Sequence, residues 1–454
     1  MKISLSIALW AVFATVAVAP SGAQGPQASV PLSALQTASS SPIQITLADA
    51  IARAQANQPS YASALADSRV SALDRSIARS ALLPGVTYHN QFLYTEPNGL
   101  ATGQGASAQP SPRFIANNTV HEYISQGMVD ETIGVAQVAG VRHANAAAAL
   151  AAAELEISRR GLVSTVTGLY YGAIAADQKL AISERARAEA DDFAGLTGKR
   201  EQRREAAQAD VVKAQLQQQQ RERELSDARL VADKARLELG VLLFPDPRTP
   251  YVLASPDNSQ LASRADVEQA ARKNNPELRS ALAALNESNA DVLTARGAYL
   301  PALGLNYTYG IDAPQFAANG PDKVKNLGYS ASVTVDIPVW DWLANEHKVK
   351  QSEIRRDAAK VALTAAQRRL IARLDEAYAE AAAARDQLSS LDASESTAEE
   401  SLRLTKMRYT GGEGTVLEVV DAQTAFVTAE NAREDGRVRY QATLADLQTL
   451  TGTM

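Results

Sequence analysis

The feature that most constrains this chain of 454 residues is that it repeats itself. Asn57-Gln58-Pro59 returns as Asn274-Asn275-Pro276 at an offset of 217 residues, and Val211-Val212 returns as Val419-Val420 at an offset of 208. Self-similarity of this kind indicates a tandem duplication, in which both units contribute the same structural elements. The predicted repeats are 44–243 and 261–454, joined by a Pro-rich linker at 244–260.

The first residues of the chain predict export. Lys2 precedes an almost unbroken apolar run over residues 3–19, and Ser21-Gly22-Ala23 supplies the small residues that a signal peptidase accepts. A transmembrane anchor is the alternative, because the run is near the shortest membrane-spanning length. We expect a signal peptide at 1–23 and a polar N-terminal extension at 24–43. Since the chain has no cysteine, we expect the exported form not to be lipidated.

Each repeat changes from helical to strand periodicity. Helical spacing fills about 46–83 and 263–300 and stops at a Leu-Pro pair, since proline cannot continue a helix. Apolar and polar residues then alternate, as in strands with one apolar and one polar face. The predicted strands are 85–96, 116–126, 302–312 and 326–337, with loops at 97–113 and 313–325. They are long enough to cross a bilayer, which takes about 9–11 tilted residues. A soluble hairpin packed on helices is the alternative.

Long helices follow the second strand of each repeat. No proline interrupts the pattern to about 193 and about 408, and second helices are predicted at about 205–242 and 415–450. Leu and Ala recur with heptad spacing in the second repeat, which predicts a coiled-coil seam at positions 363, 370, 374, 377, 381, 384, 388 and 391. Asp130 and Asp341 stand where strand changes to helix, and we predict them to be helix N-caps.

The sequence has no recognisable arrangement for catalysis. It contains no His-Glu-x-x-His, Gly-x-Ser-x-Gly or P-loop motif, and its four histidines are scattered. The absence of cysteine removes thiolate metal sites. A net charge of −6 gives no indication of nucleic-acid binding. We therefore expect no enzyme activity, no cofactor, no metal site and no nucleic-acid partner.

Taken together, these features resemble the TolC-like outer-membrane efflux protein family, the outer membrane factors. The resemblance covers about 44–451 and rests on Asn274-Asn275-Pro276-Glu277-Leu278, on Ala295-Arg296 to Leu300-Pro301, and on Tyr409-Thr410-Gly411-Gly412 through Val419-Val420-Asp421-Ala422-Gln423. It implies an α+β membrane protein, whose tandem-duplicated chain gives four transmembrane β-strands to a trimeric 12-stranded barrel. A long periplasmic coiled-coil α-helical barrel is implied to continue that barrel.

The resemblance also implies a function. The protein is expected to be the outer-membrane exit duct of a tripartite efflux pump or type I secretion system, conducting small molecules or polypeptides passively. The implied partners are two more copies of the chain (a homotrimer), a periplasmic adaptor protein, an inner-membrane transporter and outer-membrane lipid. A periplasmic coiled-coil scaffold or adaptor that never enters the membrane is the alternative. The exported substrate stays open.

Three sets of residues follow from this resemblance. The expected lipid-facing strand residues are Leu303, Leu305, Tyr307, Tyr309, Leu327, Tyr329, Val333 and Val335. The expected adaptor-docking residues, at the tip of the second helical hairpin, are Tyr409, Gly411, Gly412, Gly414, Thr415, Val419 and Asp421. Arg204 and Ala206 replace Gly412 and Gly414 in the first tip, so we expect the two tips to differ.

Arg403 and Lys406 are the candidate gate residues. They stand where channels of the resembled family often carry an acidic constriction just before the tip. If they face the lumen, three copies would form a cationic ring and weaken cation preference. The alternative is that both side chains face solvent outside the tunnel.

Overall fold

The computed structural model describes residues 43–94, 121–254, 260–320 and 324–452. The predicted signal peptide, the extension up to residue 42 and the loop 97–113 lie outside the described residues. In the first half the elements are β1 (Ile43–Ile45), α1 (Leu47–Asn57), α2 (Pro59–Ser80), β2 (Gly85–Tyr94), β3 (His121–Ile133), α3 (Val135–Gln202) and α4 (Gln208–Leu243). In the second half they are β4 (Tyr251–Leu253), α5 (Arg264–Asn274), α6 (Pro276–Gly297), β5 (Ala302–Ala313), β6 (Leu327–Asp336), α7 (Ala344–Thr410) and α8 (Val416–Thr451). The two halves therefore follow the same order of elements.

The linker between the repeats is held by a short parallel sheet. Strand β4 lies within it and pairs with β1, from Ile43↔Tyr251 to Ile45↔Leu253. Tyr170 of α3 is 1% exposed, and its hydroxyl lies 3.1 Å from the carbonyl oxygen of Ile45 and 2.9 Å from that of Ala254. The Tyr170 side chain thus connects both the beginning of the first repeat and the linker to helix α3.

The first helical segment of each repeat is two helices rather than one. Pro59 opens α2 and Pro276 opens α6, and the preceding Gln58 and Asn275 are extended. A proline is favourable at the first position of a helix and disfavours the helical conformation in the residue before it. Asn275 also caps α6, because its side chain accepts a hydrogen bond from the Leu278 amide at 2.9 Å. The sequence motif around Pro276 therefore marks a helix junction.

Strands β2, β3, β5 and β6 form one antiparallel sheet in the order β2-β3-β5-β6. The central pair β3–β5 joins the two repeats, with Val129 opposite Tyr307. The hairpin β5–β6 has Leu305 opposite Val333 and Tyr309 opposite Tyr329. Within the described part of the chain, β2 and β6 are the two edges of this sheet.

Strand β3 ends later in the chain than the sequence predicts. It runs to Ile133, and only Gly134 separates it from α3. The prediction that Asp130 caps a helix is wrong, because Asp130 lies inside the strand and accepts a hydrogen bond from the Asn306 side chain. Local pattern cannot distinguish an N-cap aspartate from an aspartate on the polar face of a strand. Asp341 is not an N-cap either, because Leu343 occupies that position of α7, although the Asp341 side chain accepts a hydrogen bond from the Asn345 amide at 2.8 Å.

Two long helical hairpins, α3–α4 and α7–α8, make up most of the chain. Helix α3 has 68 residues and α7 has 67, so each is about 100 Å long at 1.5 Å per residue. All eight positions of the predicted heptad seam in α7 are buried or half-buried. None of the described helices combines the length and the apolar character needed to cross a membrane. The seam of α7 therefore consists of Leu and Ala, whereas α3 and α4 also share a core cluster that contains Val166, Tyr170 and Phe244.

A buried arginine ties three helices together where the hairpins end. Arg160 of α3 is 7% exposed and donates to the carbonyl oxygens of Thr449 in α8, at 2.7 Å, and of Asn274 in α5, at 3.1 Å. Its third partner is Glu156, at 2.7 Å. The hydrogen bond from Arg159, followed by that from Arg160, lowers the pKa of Glu156 to about 2 against the effect of burial. The carboxylate therefore stays charged and holds the guanidinium in place.

We expect Arg160→Gln to lower the free energy of unfolding by about 2–3 kcal/mol, because two backbone carbonyls lose a charged donor. The measurement is unfolding in detergent followed by circular dichroism of the helices. The matched control is Arg368→Gln, at the position of the second repeat that corresponds to Arg160, where the arginine is exposed. The control should change stability by less than about 0.5 kcal/mol. Equal effects of the two substitutions would contradict this role of Arg160.

Candidate functional site

The four-stranded sheet has one apolar and one polar face. The register places Leu303 opposite Val335 and Leu305 opposite Val333 on the first face. The second face carries Asn306, Thr308, Ser330, Ser332 and Thr334. On it, Gln126 donates to Asp312 at 3.5 Å and Thr308 to Asn306 at 3.2 Å. A sheet of this kind can separate lipid from water, because side chains alternate between its two faces.

All eight residues predicted to face lipid lie on the apolar face. Six of them are exposed, and Leu303 and Leu305 are half-buried in the central strand β5. Tyr307 and Tyr329 stack on each other with ring centroids 6.3 Å apart. The first repeat is less apolar on this face, which also carries Asn90, Ser125 and Glu131. Ser125 donates to Asn90 at 2.8 Å and is hydrogen-bonded to the Tyr88 hydroxyl, also at 2.8 Å.

The tip of the α7–α8 hairpin is built around Tyr409, which is 5% exposed. Its ring meets Phe193 of α3 edge-on at 5.2 Å, and its hydroxyl lies 3.2 Å from the Thr197 hydroxyl. The Arg200 guanidinium lies 4.7 Å from the centre of the same ring and donates to the Tyr409 carbonyl oxygen. Val419 is fully buried in the same cluster. Tyr409 and Val419 therefore join the two hairpins at their tips and support the surface around them.

The tip surface consists of the turn between α7 and α8. Gly411, Gly412 and Thr415 are exposed there, as is Asp421 one turn into α8. Gly412 has a φ of +83°, which glycine adopts without strain. Thr415 closes a capping box with Glu418, which fixes the start of α8. Of the predicted docking residues, these four are accessible, and Gly414 is half-buried against the backbone of Tyr409.

The first tip has the same backbone as the second, although its sequence differs. Arg204 has a φ of +62° at the position that corresponds to Gly412. The Arg204 amide donates to Glu201 and the Glu205 amide to Arg200, as Gly412 donates to Tyr409 and Glu413 to Arg408. The tips thus share one turn and differ in the side chains that they present. The first presents arginine and alanine where the second presents glycine.

The two candidate gate residues have different surroundings. Arg403 is exposed and donates twice to Glu400 on its own helix, at 2.7 Å each time. Lys406 reaches across to α3 and pairs with Glu189 at 2.9 Å. It lines a cleft of about 220 Å³ between the hairpins, together with Phe193 and Tyr409. Each cation is therefore compensated by a carboxylate, and Lys406 belongs to the contact between the hairpins.

Sequence reasoning missed the α3 side of this tip, namely Phe193, Thr197 and Arg200. The duplication gave no signal for them, since Phe193 corresponds to Ser401 and Tyr409 to Glu201. Helical periodicity shows which residues share one face of a helix but not which other helix that face meets. These three contacts depend on how the two hairpins sit together, which neither repeat contains by itself.

Charged side chains between the two hairpins form ion pairs. Lys179 pairs with Asp435 at 2.5 Å, and Arg185 pairs with Glu430 at 2.9 Å. Burial raises the pKa of Glu430, and Arg185 opposes this effect. Among the residues that the structure describes, no group of three or more His, Asp or Glu side chains could hold a metal ion.

Comparisons with known proteins agree with this architecture. Residues 267–453 match the family model described as outer membrane efflux protein. The chain is 27% identical over 172 residues to outer membrane protein OprJ of Pseudomonas aeruginosa, covering 38% of this chain and 36% of OprJ. It is 24% identical over 203 residues to the proteases secretion protein PrtF of Dickeya chrysanthemi, covering 43% of each. The alignments span less than half of either relative.

The fold is that of a solved outer-membrane channel. The structure superposes on the CmeC outer membrane channel of Campylobacter jejuni with a TM-score of 0.73. The match covers 89% of this chain and 85% of CmeC at 16% sequence identity. At that identity the likeness concerns the fold alone.

We expect Arg204→Gly to stabilise the protein by about 0.5–1 kcal/mol, because glycine removes the cost of a left-handed arginine. Conversely, Gly412→Ala should destabilise it by about 1 kcal/mol. Thermal unfolding in detergent measures both changes. The control is Ala206→Gly, at a position outside the left-handed region, which should not stabilise the protein. A loss of stability in Arg204→Gly would show that the arginine side chain itself holds the first tip.

Proposed function

Residues 267–453 of this chain belong to the outer membrane efflux protein family, and from this premise we propose that the protein is an outer-membrane exit duct. It conducts small molecules or polypeptides passively, in a tripartite efflux pump or a type I secretion system. The observation that carries the proposal is the sheet with one apolar and one polar face, whose strands lead directly into long helical hairpins. The sheet lies in the outer membrane, and the hairpins extend into the periplasm.

A single chain is not enough to build the duct. An open sheet edge is not tolerated in lipid, since its backbone groups have no water to bond with, and the smallest bacterial barrels have about eight strands. With four strands from each chain, three chains close a barrel of twelve strands. In that arrangement β6 of one protomer pairs with β2 of the next, and the polar faces line a water-filled passage.

The duplication also indicates how the helices of neighbouring protomers meet. Within one chain α6 packs against both α3 and α7, whereas α2 packs against α3. Ala146 and Ala153 on α3 are buried, but their counterparts on α7, Ile354 and Val361, are 64% and 66% exposed. Leu73 on α2 is 63% exposed, although its counterpart in α6 is a buried alanine. We infer that α2 of one protomer covers α7 of the next, as α6 covers α3.

The tips of the hairpins point away from the sheet and form the periplasmic end of the duct. An inner-membrane transporter supplies energy and substrate, and a periplasmic adaptor docks on the tips through Gly411, Gly412, Gly414, Thr415 and Asp421, with Tyr409 and Val419 supporting them. The name of PrtF refers to secretion of proteases, and that of OprJ names no cargo. We propose no particular substrate.

The first test is native mass spectrometry of protein extracted by detergent from purified outer membranes. A trimer of the processed chain supports the duct. A monomer in the soluble periplasm would favour the scaffold interpretation and overturn the duct.

Cross-linking tests the proposed contact between protomers. Asp291 of α6 lies 2.9 Å from His143 of α3, and the corresponding pair is Asp74 of α2 and Gln351 of α7. We expect Asp74→Cys combined with Gln351→Cys to give covalent dimers and trimers with a short thiol-reactive cross-linker. The native chain has no cysteine, so the background is clean.

The matched control is Asp291→Cys combined with His143→Cys, which should cross-link within one chain. If that control reacts and the Asp74–Gln351 pair gives only monomers, the proposed packing of α2 on α7 is wrong. Each single variant should give no cross-linked product within a trimer.

The candidate gate is tested by the reversal potential of channels in planar bilayers. We expect Arg403→Glu and Lys406→Glu to shift selectivity toward cations, because each replaces three positive charges of the trimer with three negative ones. Lys406→Glu should also open the tip more often, since it faces Glu189 and turns an attraction into a repulsion. Arg385→Glu, an exposed position further up α7, is the control. Reversal potentials equal to that of the unaltered protein in both tip variants would remove the gate hypothesis.

A further inference from the structure

A cleft of about 630 Å³ lies between α3, α6 and the beginning of α7. The buried side chains of Ala146, Ala290 and Val292 form its floor. Its polar lining consists of three arginines and three asparagines, namely Arg142, Arg296, Arg356, Asn145, Asn286 and Asn289. None of the described residues that line it carries a carboxylate or an aromatic ring. We call this cleft the arginine groove.

Half of the positive charge at the arginine groove is not compensated within the chain. Arg296 and Arg356 each lie against a carboxylate of α7. Arg142 is exposed and enters no ion pair among the described residues. Arg79 of α2 adds a fourth guanidinium beside the groove, and its partner is the neutral side-chain oxygen of Asn145, at 3.3 Å. The groove therefore presents four guanidinium groups against two carboxylates, which favours an anionic ligand.

The arginine groove lies on the outer side of the proposed duct. Arg142 precedes Tyr170 by 28 residues and Asn145 precedes Val166 by 21, so heptad spacing places all four on one side of α3. Val166 is fully buried against this side, and the Tyr170 hydroxyl contacts the ends of the strands β1 and β4. A duct has to keep its lumen free, so the side of α3 that these elements cover is the outer one.

The groove stays open in the proposed trimer. All three helices that form it belong to one protomer, and Arg356 faces α6 of the same chain. The neighbouring protomer's α2 is assigned to Ile354 and Val361, on another side of α7. Three equivalent grooves are therefore expected at one height around the outer surface.

The distance of the groove from the membrane excludes lipid headgroups as its ligand. On α3 the lining residues run from Arg142 to Ala149, which are 8 and 15 residues after Gly134 at the end of the sheet. At 1.5 Å per residue they lie about 12–22 Å beyond the sheet. The headgroup layer on one side of a bilayer is only about 5–8 Å thick. The ligand is thus expected in the aqueous periplasm.

The lining of the groove fits a short peptide that carries carboxylates. A guanidinium group can bind a carboxylate through two parallel hydrogen bonds, and the asparagine amides both donate and accept, as peptide groups do. A folded protein partner usually inserts aromatic side chains into apolar pockets, whereas the floor here offers only a shallow surface of small residues. In the periplasm, the stem peptides of peptidoglycan combine free carboxylates with amide groups. Because peptidoglycan is a layer that surrounds the duct, it can reach all three grooves.

We propose that the arginine groove binds carboxylate-bearing stem peptides of peptidoglycan, and that the outer surface of the duct is thereby attached to this layer. Arg142 binds a carboxylate directly, because its own charge has no partner in the chain. This inference rests on the proposed function, because it requires that the sheet lies in the outer membrane and the helices in the periplasm.

The experiment is co-sedimentation of the full-length protein, extracted in detergent, with purified peptidoglycan sacculi. We expect the unaltered protein to sediment with sacculi and Arg142→Glu to bind about tenfold more weakly or less, because a charge-assisted hydrogen bond becomes a repulsion. Arg142→Gln, which removes the charge without reversing it, should weaken binding to a smaller extent. The matched control is Arg355→Glu, an exposed arginine of α7 that does not line the groove, which should bind as the unaltered protein does.

Two further probes identify the ligand without any variant. Sacculi whose carboxylates have been amidated should no longer retain the unaltered protein. Soluble polyglutamate should compete poorly with sacculi. If polyglutamate competes as well as soluble stem peptides do, the groove accepts any acidic chain and the assignment to peptidoglycan is overturned.

Channel conductance in planar bilayers separates this inference from the proposed function. Arg142→Glu channels that conduct normally but no longer bind sacculi support the groove. Unaltered protein that conducts but does not bind sacculi, or an Arg142→Glu variant that binds as well as the control, overturns the groove and leaves the duct standing. An unaltered protein that neither forms trimers nor conducts overturns the duct, and the outer placement of the groove with it.

Discussion

The rest of the structure depends on one constraint, that the backbone groups along the edge of a sheet must find partners. In water an edge strand can bond to solvent, but in hydrocarbon it cannot. A four-stranded sheet with open edges at β2 and β6, placed in the membrane as proposed, is therefore incomplete by itself. The helices are incomplete in the same sense, because Ile354 and Val361 on α7 and Leu73 on α2 are apolar and exposed. In the proposed trimer, the same neighbouring protomers would close the sheet and cover these helix surfaces.

Because of the duplication, the same backbone structure occurs at several positions around the proposed duct. The two tips show what the repeats have kept and what they have changed. Both turns have the same hydrogen bonds and the same left-handed residue, although one uses Gly412 and the other Arg204. The contacts that join the two hairpins at their tips are not repeated in this way. Arg200, Phe193 and Thr197 surround Tyr409, and none of these three has a counterpart that repeats the arrangement.

Much of the fold could be predicted from the sequence because it is periodic. Alternation identified β5 and β6 nearly to the residue, and heptad spacing identified the seam of α7. Prediction failed where two structures fit one pattern. Asp130 reads equally well as a helix cap or as a residue on the polar face of a strand, and the first choice was wrong. Prediction also missed the ion-pair partner of Lys406, because Glu189 lies 217 residues away in the sequence, on another helix. Such contacts depend on tertiary packing, which a local sequence pattern cannot predict.

The shared backbone and distinct side chains of the two tips have a consequence for stoichiometry. The proposed trimer would present six turns of nearly the same shape, alternating between a glycine-rich surface and one bearing Arg203 and Arg204. A partner that recognises the shape of the turn finds six equivalent positions around the ring. A partner that recognises the side chains finds three, each flanked by a different surface. If the proposed adaptor docks on these turns, the number of adaptor molecules bound per trimer would depend on whether it accepts Arg204 in place of glycine, so a single residue would set the symmetry of the complex.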